Sequence, residues 1–595
     1  MNLNPEQKAV GRDNYYEAVG VSRRDFMKEV LAAGAVTGAG LGAMYFNYGK
    51  VGDPLRVGVI GTGDEGQVLI GAVNPDYVQV TAIADIRPYN VHRAFHGDWA
   101  SDAAWAARPG LIKKYGWSGE DEAKKHVKVY DKDYRDLLKD PSIEAVIIAL
   151  PLHLHAQASI EAMQAGKHVL CEKLMAHNIA QCKVMGRFAA KNNLYLAVGH
   201  QRHYSILYDN AVNLIRWGLL GQLHHIRAQW HRGNLPGNDS WQQPLPGGEP
   251  GAGGKTVDKI LRQLNGLEKE LASEEDPAVA RKLEKKVAQW RAWHEDRSLK
   301  AEDFGYQNFT LGGRNRSALE ELCRWRLWER TGGGLMAELG SHQLDAASIF
   351  CSALRKDGKK AHPLTVHAVG GRHIFPLDRH AEDHVYCMFE FPGPAYDPDF
   401  PVGYKDDVTG TPDPKKGVPG HEDDPNKKII VTYSSINGNG FGGYGEVVMG
   451  TRGTLILERE QEVMLYKDAD TSSKISVKND KGGPTMDTQA SGGAQAASAK
   501  AAADMGPVSR GYTEEIEHWA FAIKTKAPRE SLRCRPEVAM GDAIIALTTN
   551  IAINNNIRGE AGYVKFKEEW FDLDSDSTPD GSSVEKEYQQ LVKGQ

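Results

Sequence analysis

Cysteine is scarce in this chain and never clustered. Cys171, Cys182, Cys323, Cys351, Cys387 and Cys534 are scattered over 595 residues with no CxxC pair, which argues against a disulfide-dense scaffold and a thiolate metal site. Buried free thiols are the expectation, although the even count leaves disulfides open. An excess of one charge is missing too. Lys and Arg number 72 against 78 Asp and Glu, so no basic face for tracking phosphates is implied and nucleic acid is excluded as a partner. There is no internal repeat and no metal-ligand cluster, and beyond the first fifty residues no apolar run is long enough to span a bilayer.

The length predicts two to four domains with a substantial core. The 63 glycines predict many turns and long irregular connections. Near the N-terminus, "VSRRDFMKEVLAAGAVTGAGLGAMYF" places Arg23-Arg24 before an Ala- and Gly-rich apolar stretch from Val30 to Phe46. It resembles a twin-arginine translocation signal, a receptor-read address rather than an anchor. That resemblance implies folding in the cytoplasm, the translocation machinery as a partner and a periplasmic destination. No A-x-A cleavage site is evident, so removal after Ala43 and an uncleaved inner-membrane tether both stay open.

A nucleotide-binding pattern follows. Leu55 to Ile60 reads as a buried parallel strand, and Gly61-Thr62-Gly63-Asp64-Glu65-Gly66 leads from it into a helical pattern. Gly61 suits the tight turn, Gly63 a close approach to a pyrophosphate, Gly66 helix-on-strand packing. A second strand, "VQVTAIAD", ends in Asp85 about 20 residues on, where a carboxylate accepts from a ribose hydroxyl. That favours NAD, while Arg87 leaves NADP open by offering charge to a 2'-phosphate. A third strand, "IEAVIIALP", ends at Pro151, with His153 and His155 at its carboxyl end, where ligands collect in doubly wound sheets.

From "AGKHVLCEKLMAHN" onward the chain resembles the Gfo/Idh/MocA oxidoreductases, named for glucose-fructose oxidoreductase and inositol dehydrogenase. The landmarks are Gly61 to Gly66, "HVLCEK", "VGHQRHY" and "GGGLMAELGSHQLD", over roughly residues 55–235 and 324–570. The resemblance implies an α/β protein, with an N-terminal Rossmann domain and a C-terminal α/β domain built on an open, mainly antiparallel sheet. Glu172 and Lys173 stand in the signature, where Leu174 replaces the usual proline. Lys173 matches the lysine that bonds the reacting hydroxyl and the cofactor ribose, a task suited to a buried ammonium of lowered pKa. His342 matches the general base; Glu338, four residues earlier, is expected on the same helix face, orienting the imidazole or holding a substrate hydroxyl. Gln201 is expected to face the cofactor, and Arg202, Tyr204 and Asp345 the substrate.

The expected domains are a signal and linker over 1–50, the Rossmann domain over 51–175, a substrate and oligomerisation domain over 176–575, and a tail over 576–595. Within the second domain, 236–323 reads as an insertion with a projecting helical hairpin, its apolar face formed by Val257, Ile260, Leu261, Leu264, Leu267, Leu271, Leu283, Val287 and Trp290. Its expected roles are packing or subunit contact, a lid being the alternative. Residues 392–426 and 482–507 read as loops.

The functional expectation is an exported oxidoreductase moving hydride between a sugar-like secondary alcohol and tightly retained NAD or NADP, working as a homo-oligomer. Retention follows from the scarcity of free dinucleotide outside the cytoplasm. Two alternatives stand beside it: a glycosidase acting by transient oxidation, elimination, hydration and re-reduction, and a non-catalytic envelope binding protein.

Overall fold

The computed structural model of the chain describes residues 3–19, 41–251, 255–399, 424–480, 483–488 and 510–594. Arg23, Arg24 and most of the expected loops 392–426 and 482–507 lie outside the described residues.

Six short strands build a parallel sheet in the order β3-β2-β1-β4-β5-β6. They are β1 (Leu55–Ile60), β2 (Val78–Ala84), β3 (Lys128–Tyr130), β4 (Ala145–Ile148), β5 (His168–Glu172) and β6 (Leu196–Gly199). The Val- and Ile-rich strands β1 and β4 are buried almost throughout, because helices cover both faces of the sheet. The order reverses between β1 and β4, which opens a crevice beyond their carboxyl ends, where Gly61 and Pro151 stand. This sheet takes in β6, beyond the expected boundary at 175. It also recruits the distant helix Tyr512–Thr525, whose Ile516, Trp519 and Ala520 share a core with Val57, Val59 and Leu69.

From β7 (Leu223–Trp230) the chain enters a second sheet. Two short hairpins intervene, β8–β9 (Glu249–Pro250, Thr256–Val257) and β10–β11 (Phe309–Leu311, Arg314–Arg316). The sheet then gathers β12 (Thr365–Gly371), β13 (His384–Pro392), β14 (Lys428–Ile436), β15 (Tyr444–Gly450), β16 (Gly453–Glu458), β17 (Glu462–Lys467) and, past hairpin β18–β19 (Ser476–Asp480, Gly483–Asp487), β20 (Tyr563–Lys565). Its order is β17-β16-β15-β7-β14-β13-β12-β20, antiparallel at each pairing except β7 with β14. Strand β14 alternates buried Ile429, Val431, Tyr433 and Ser435 with half-buried neighbours, the period-two signature of a sheet with one face in the core. Helices Ser341–Ser352 and Pro536–Ile557 pack on the sheet, and the latter also meets helix Ile179–Lys191, joining the two layers. The expected α/β architecture is thus present, and all six cysteines are buried and free.

The insertion forms helices Lys259–Ser273 and Pro277–Glu295, clasped through Leu264, Leu267, Leu283 and Val287. Val257 and Leu261 do not join that face; they are 39% and 37% exposed. Instead of projecting, the hairpin lies on the Rossmann helix Pro88–His96: Trp293 stacks on Tyr89 with ring centres 4.6 Å apart, and Gln289 Nε2 donates to Asp98 Oδ1 at 3.0 Å. The 576–595 segment is docked as well, through helix Val584–Lys593 against helices His155–Gln164 and Ile179–Lys191.

Residues near the N-terminus also pack on the body. Helix Pro5–Val19 lies along β17, with Arg12 Nη1 2.6 Å from Glu462 and Asn14 Nδ2 donating to the Ser473 carbonyl at 3.1 Å. Ala43 and Tyr48 are in the Rossmann-side core, and the Tyr48 hydroxyl donates to Glu517 at 2.6 Å. Among the described residues no helix is long and apolar enough to cross a membrane.

Candidate active site

The crevice at the end of β1 and β4 widens into a cleft of about 1030 Å³ running between the two sheets. Gly61, at φ +87°, could not carry a side chain: a Cβ there would lie 2.4 Å from the Ala149 carbonyl oxygen. A Cβ on Gly66 would lie 2.1 Å from the Gly61 oxygen, so this glycine lets the helix start against the strand. Gly63 is different, since a Cβ there would meet nothing nearer than 3.9 Å, and the space over it is open cleft. The loop is held by Asp85, which accepts from Thr62 N–H at 2.7 Å, Arg87 N–H at 2.9 Å and Asn90 Nδ2 at 3.1 Å. Asp85 still lines the cleft beside Asp64 and Glu65, as expected of a ribose-facing carboxylate.

Arg87 departs from expectation. Its Nε donates to Asp296 Oδ2 at 2.8 Å, and Asp296, from the insertion, is fully buried. The charge proposed for a 2'-phosphate is therefore neutralised from within the chain, which favours NAD.

At the inner end of the cleft stands Lys173. Its Nζ donates to the main-chain carbonyls of Glu338 at 2.7 Å and Ala337 at 3.3 Å, and the peptide bond to Leu174 is cis. Burial lowers the ammonium's pKa while Glu338, Glu172 and Glu65 pull the other way. Glu172 and Glu65 are themselves pushed up, Glu172 by burial and by Glu65, Glu65 by burial, and each keeps one buried oxygen without a partner.

Glu338 and His342 do not pair as an ordinary helix would pair them. Residues Met336–Gly340 form a π-turn before helix Ser341–Ser352, and this alters the spacing. The Glu338 carboxylate instead accepts from Arg326 Nε at 2.8 Å, and Arg326 and Lys173 outweigh burial to hold it below the usual carboxylate range. His342 leaves Nδ1 buried without a partner; its ring lies 5.5 Å from that of Trp230 and 6.5 Å from that of His200. Burial first, then Lys173 and Arg202, keeps this imidazole neutral well below its ordinary pKa.

Gln201 also lines the cleft, with both ends of its amide buried and unpartnered. Pro151 and His153 line it too, His153 edge-on to Tyr306. His155 lines the cleft as well, and both its ring nitrogens lie 2.8 Å from backbone carbonyls, those of Leu174 and Leu150, so the ring braces two loops at this point.

The three expected substrate residues lie outside the cleft. The 3₁₀ turn Gln201–Tyr204 aims Gln201 at the cleft and its other side chains into the core. Arg202 is 2% exposed, bonded to Glu460 at 2.8 Å, to Glu446 at 3.1 Å, to Gln343 and to the His342 carbonyl. It therefore positions the histidine's helix. The Tyr204 hydroxyl accepts from Arg533 N–H at 3.0 Å. Asp345 is fully buried, accepting from His203 Nε2 at 2.8 Å and Lys360 Nζ at 2.6 Å. With His200 and Asp542 it brings three metal-type ligands within 4.8 Å, but Lys360 bonds both carboxylates and supplies the cation itself.

Sequence reasoning missed Arg326, Trp230, Arg232, Trp241, Tyr444 and Tyr512, which also line the cleft. Trp230 could have been found, since it ends the strand that follows the "VGHQRHY" segment.

The cleft fits a nicotinamide dinucleotide: a tight Gly61 turn, open space over Gly63, a carboxylate at Asp85, and unpartnered polar groups on Glu172, Gln201 and His342 further in. Residues 55–200 match the oxidoreductase family with the NAD-binding Rossmann fold named Gfo/Idh/MocA. The chain is 30% identical over 186 residues to inositol 2-dehydrogenase of Gluconacetobacter diazotrophicus, covering 31% of this chain and 47% of the relative. It is 27% identical over 179 residues to a glycosyl hydrolase family 109 protein of Shewanella pealeana, covering 30% and 35%. The chain thus spans a third to a half of the length of these relatives. The scyllo-inositol dehydrogenase structure from Lactobacillus casei aligns over 86% of this chain and 99% of its own, at 15% identity and a TM-score of 0.44. Over residues 55–200 the chain is similar to the NAD-binding Rossmann domain of the Gfo/Idh/MocA oxidoreductases.

Proposed function

We propose that this chain is an exported oxidoreductase that moves hydride between a sugar-like secondary alcohol and a retained NAD. The observation that carries the reading is the pairing, at the inner end of one cleft, of a lysine with a free donor and a histidine held neutral. An ammonium has three N–H groups, and two of those on Lys173 go to carbonyls. The third is left to hold the substrate oxygen. His342 then accepts the hydroxyl proton, as a neutral imidazole must to act as base. Bound NAD supplies the hydride acceptor. Glu338, tied to Arg326, and Arg202, tied to the His342 carbonyl, fix the positions of the two reacting groups.

Retention is supported by the insertion. Phe304, Tyr306 and Cys323 of the insertion line the cleft together with the glycine loop, so a dinucleotide there would be bounded by the Rossmann sheet and by the insertion. Export rests on the Arg23-Arg24 pattern and requires the twin-arginine machinery as a partner. Because helix Pro5–Val19 packs on β17, the uncleaved form is the one we propose. A homo-oligomer is carried over from the family resemblance alone.

A second reading is kept by the similarity to a glycosyl hydrolase family 109 protein. Glycosidic cleavage by transient oxidation would begin with the same proton and hydride abstraction and would return the cofactor unchanged. One experiment serves both. The protein is purified from the periplasmic fraction and denatured, and the released dinucleotide is identified, before folded protein is assayed with sugars and aryl glycosides. Bound NAD with net oxidation supports the first reading, bound NAD with bond cleavage and no net oxidation the second. Folded protein without dinucleotide sinks both.

A further inference from the structure

Seven arginines line the cleft, and six are paired: Arg87 with Asp296, Arg93 with Asp64, Arg135 with Glu161, Arg326 with Glu338, Arg330 with Glu321, and Arg510 with Glu460. Arg232 is the exception. Among the described residues no carboxylate lies within ion-pair distance of its guanidinium. Its backbone is firmly placed, two residues beyond β7, with its N–H donating to the Ile436 carbonyl at 2.9 Å. Its side chain is half-buried and flanked by two indoles, the guanidinium carbon 5.7 Å from the Trp230 ring centre and 5.9 Å from that of Trp241.

The same Trp230 lies 5.5 Å from His342 and stacks on Tyr444 at 4.3 Å. A ligand presenting a hydroxyl to His342 would therefore rest on this aromatic surface with its far side toward Arg232. Burial and the nearby Arg326 work against the charge of Arg232 and outweigh the through-space pull of Glu338, Tyr433 and Asp239, so a ligand that supplies a bonded counter-charge gains where a neutral one does not. A guanidinium is a planar fork that binds a carboxylate through two parallel N–H bonds. One unpaired cation matches one negative charge; a phosphate monoester, close to a dianion, would ask for a second.

We propose that the substrate is a sugar acid, a uronic acid or its glycoside, whose carboxylate is bound by Arg232. This rests on the assignment of Lys173 and His342 as the reacting end of the cleft.

The test uses full-length protein with its dinucleotide, as wild type, Arg232→Gln and Arg232→Lys. Binding of glucuronate, galacturonate, glucose, galactose and glucose 6-phosphate is measured by calorimetry, and reduction of the dinucleotide is followed with each. The expected result is at least one uronate binding roughly ten- to a hundred-fold tighter than its matching hexose. That ratio should fall to near one in Arg232→Gln and partly return in Arg232→Lys, each variant first shown to be folded by circular dichroism. Uronates bound no better than hexoses, no uronate binding, a preference that survives Arg232→Gln, or a stronger preference for the phosphate overturns the proposal. The two readings fail separately: oxidation of hexoses without any uronate preference spares the hydride-transfer reading and removes the acid site, whereas Arg232-dependent uronate binding without hydride transfer does the reverse.

Discussion

Lys173 donates its Nζ to the main-chain carbonyl of Glu338, 2.7 Å away, while the Glu338 carboxylate turns to Arg326. The lysine thereby ties the end of β5 to the π-turn that leads into the helix of His342, and it does so without a direct ion pair. The carbonyls hold the ammonium in place, while burial, the largest influence on it, works against its charge and outweighs the through-space pull of Glu338, Glu172 and Glu65.

Replacing Lys173 by Met removes the third donor and should lower kcat by about 10²–10⁴-fold, the usual contribution of a positioned acid or base. Dinucleotide content after purification should stay within a factor of two of wild type, roughly. Lys173→Arg should not restore the rate, since a planar fork cannot reach two carbonyls and a substrate oxygen as a tetrahedral ammonium does. Single-turnover hydride transfer, measured by absorbance, checks this; a rate near wild type in either variant removes the lysine from its role.

His342 gives a pH prediction with a definite sign. Its pKa is depressed by burial, Lys173 and Arg202, so the neutral base persists as pH falls through the ordinary histidine value of about 6.5. The acid limb of kcat/KM should therefore lie clearly below about 6.5. His342→Asn should abolish turnover across the range. A limb centred at or above the ordinary value, together with a folded and cofactor-loaded protein, would contradict the environment described for this ring.

How much of this was legible beforehand differs element by element. The glycine loop and Asp85 were readable because their signals are local, a Val- and Ile-rich strand and a loop at fixed spacing, whereas Lys173 was singled out only by the family resemblance of "HVLCEK". The bond from Arg326 to Glu338 could not be read from the i, i+4 rule, which assumes an α-helix where a π-turn stands. Arg202, Tyr204 and Asp345 were misplaced for another reason. In a 3₁₀ turn or a largely buried helix, polarity does not say which side faces a cavity and which faces a buried ion pair. The Asp296 that claims Arg87 lies 209 residues further along the chain, a pairing that local pattern cannot show.

The glycines make a contrast that separates folding from binding. Gly61→Ala and Gly66→Ala would each drive a Cβ to within 2.4 Å and 2.1 Å of a backbone oxygen, so both should impair folding. Gly63→Ala meets only open space and should leave the melting temperature of cofactor-free protein nearly unchanged. It should nonetheless weaken NAD binding at least tenfold, roughly, by occupying the volume a pyrophosphate approaches. Calorimetric titration with thermal melts decides; full NAD affinity in Gly63→Ala would mean that the dinucleotide does not pass over this glycine.

Asp296 joins the covering insertion to cofactor selectivity. It is fully buried, accepts from Arg87 Nε at 2.8 Å and also from the Tyr89 N–H at 3.0 Å, and so fastens the insertion to the start of the helix Pro88–His96. Removing one partner of a buried ion pair leaves the other charge uncompensated, at a cost of about 3–5 kcal/mol. Asp296→Asn keeps the shape and removes the charge, and two consequences should appear together. The insertion should hold the dinucleotide less firmly, so that less NAD survives extensive dialysis. Arg87, freed of its counter-ion, should welcome a 2'-phosphate, raising NADP affinity relative to NAD by about tenfold, the scale of one charge-assisted contact. Faster loss of NAD with no change in the NADP ratio would show that Arg87 and Asp296 serve the fold alone. A shifted ratio, removed by the further change Arg87→Gln, would establish that a residue of the insertion helps to choose the cofactor.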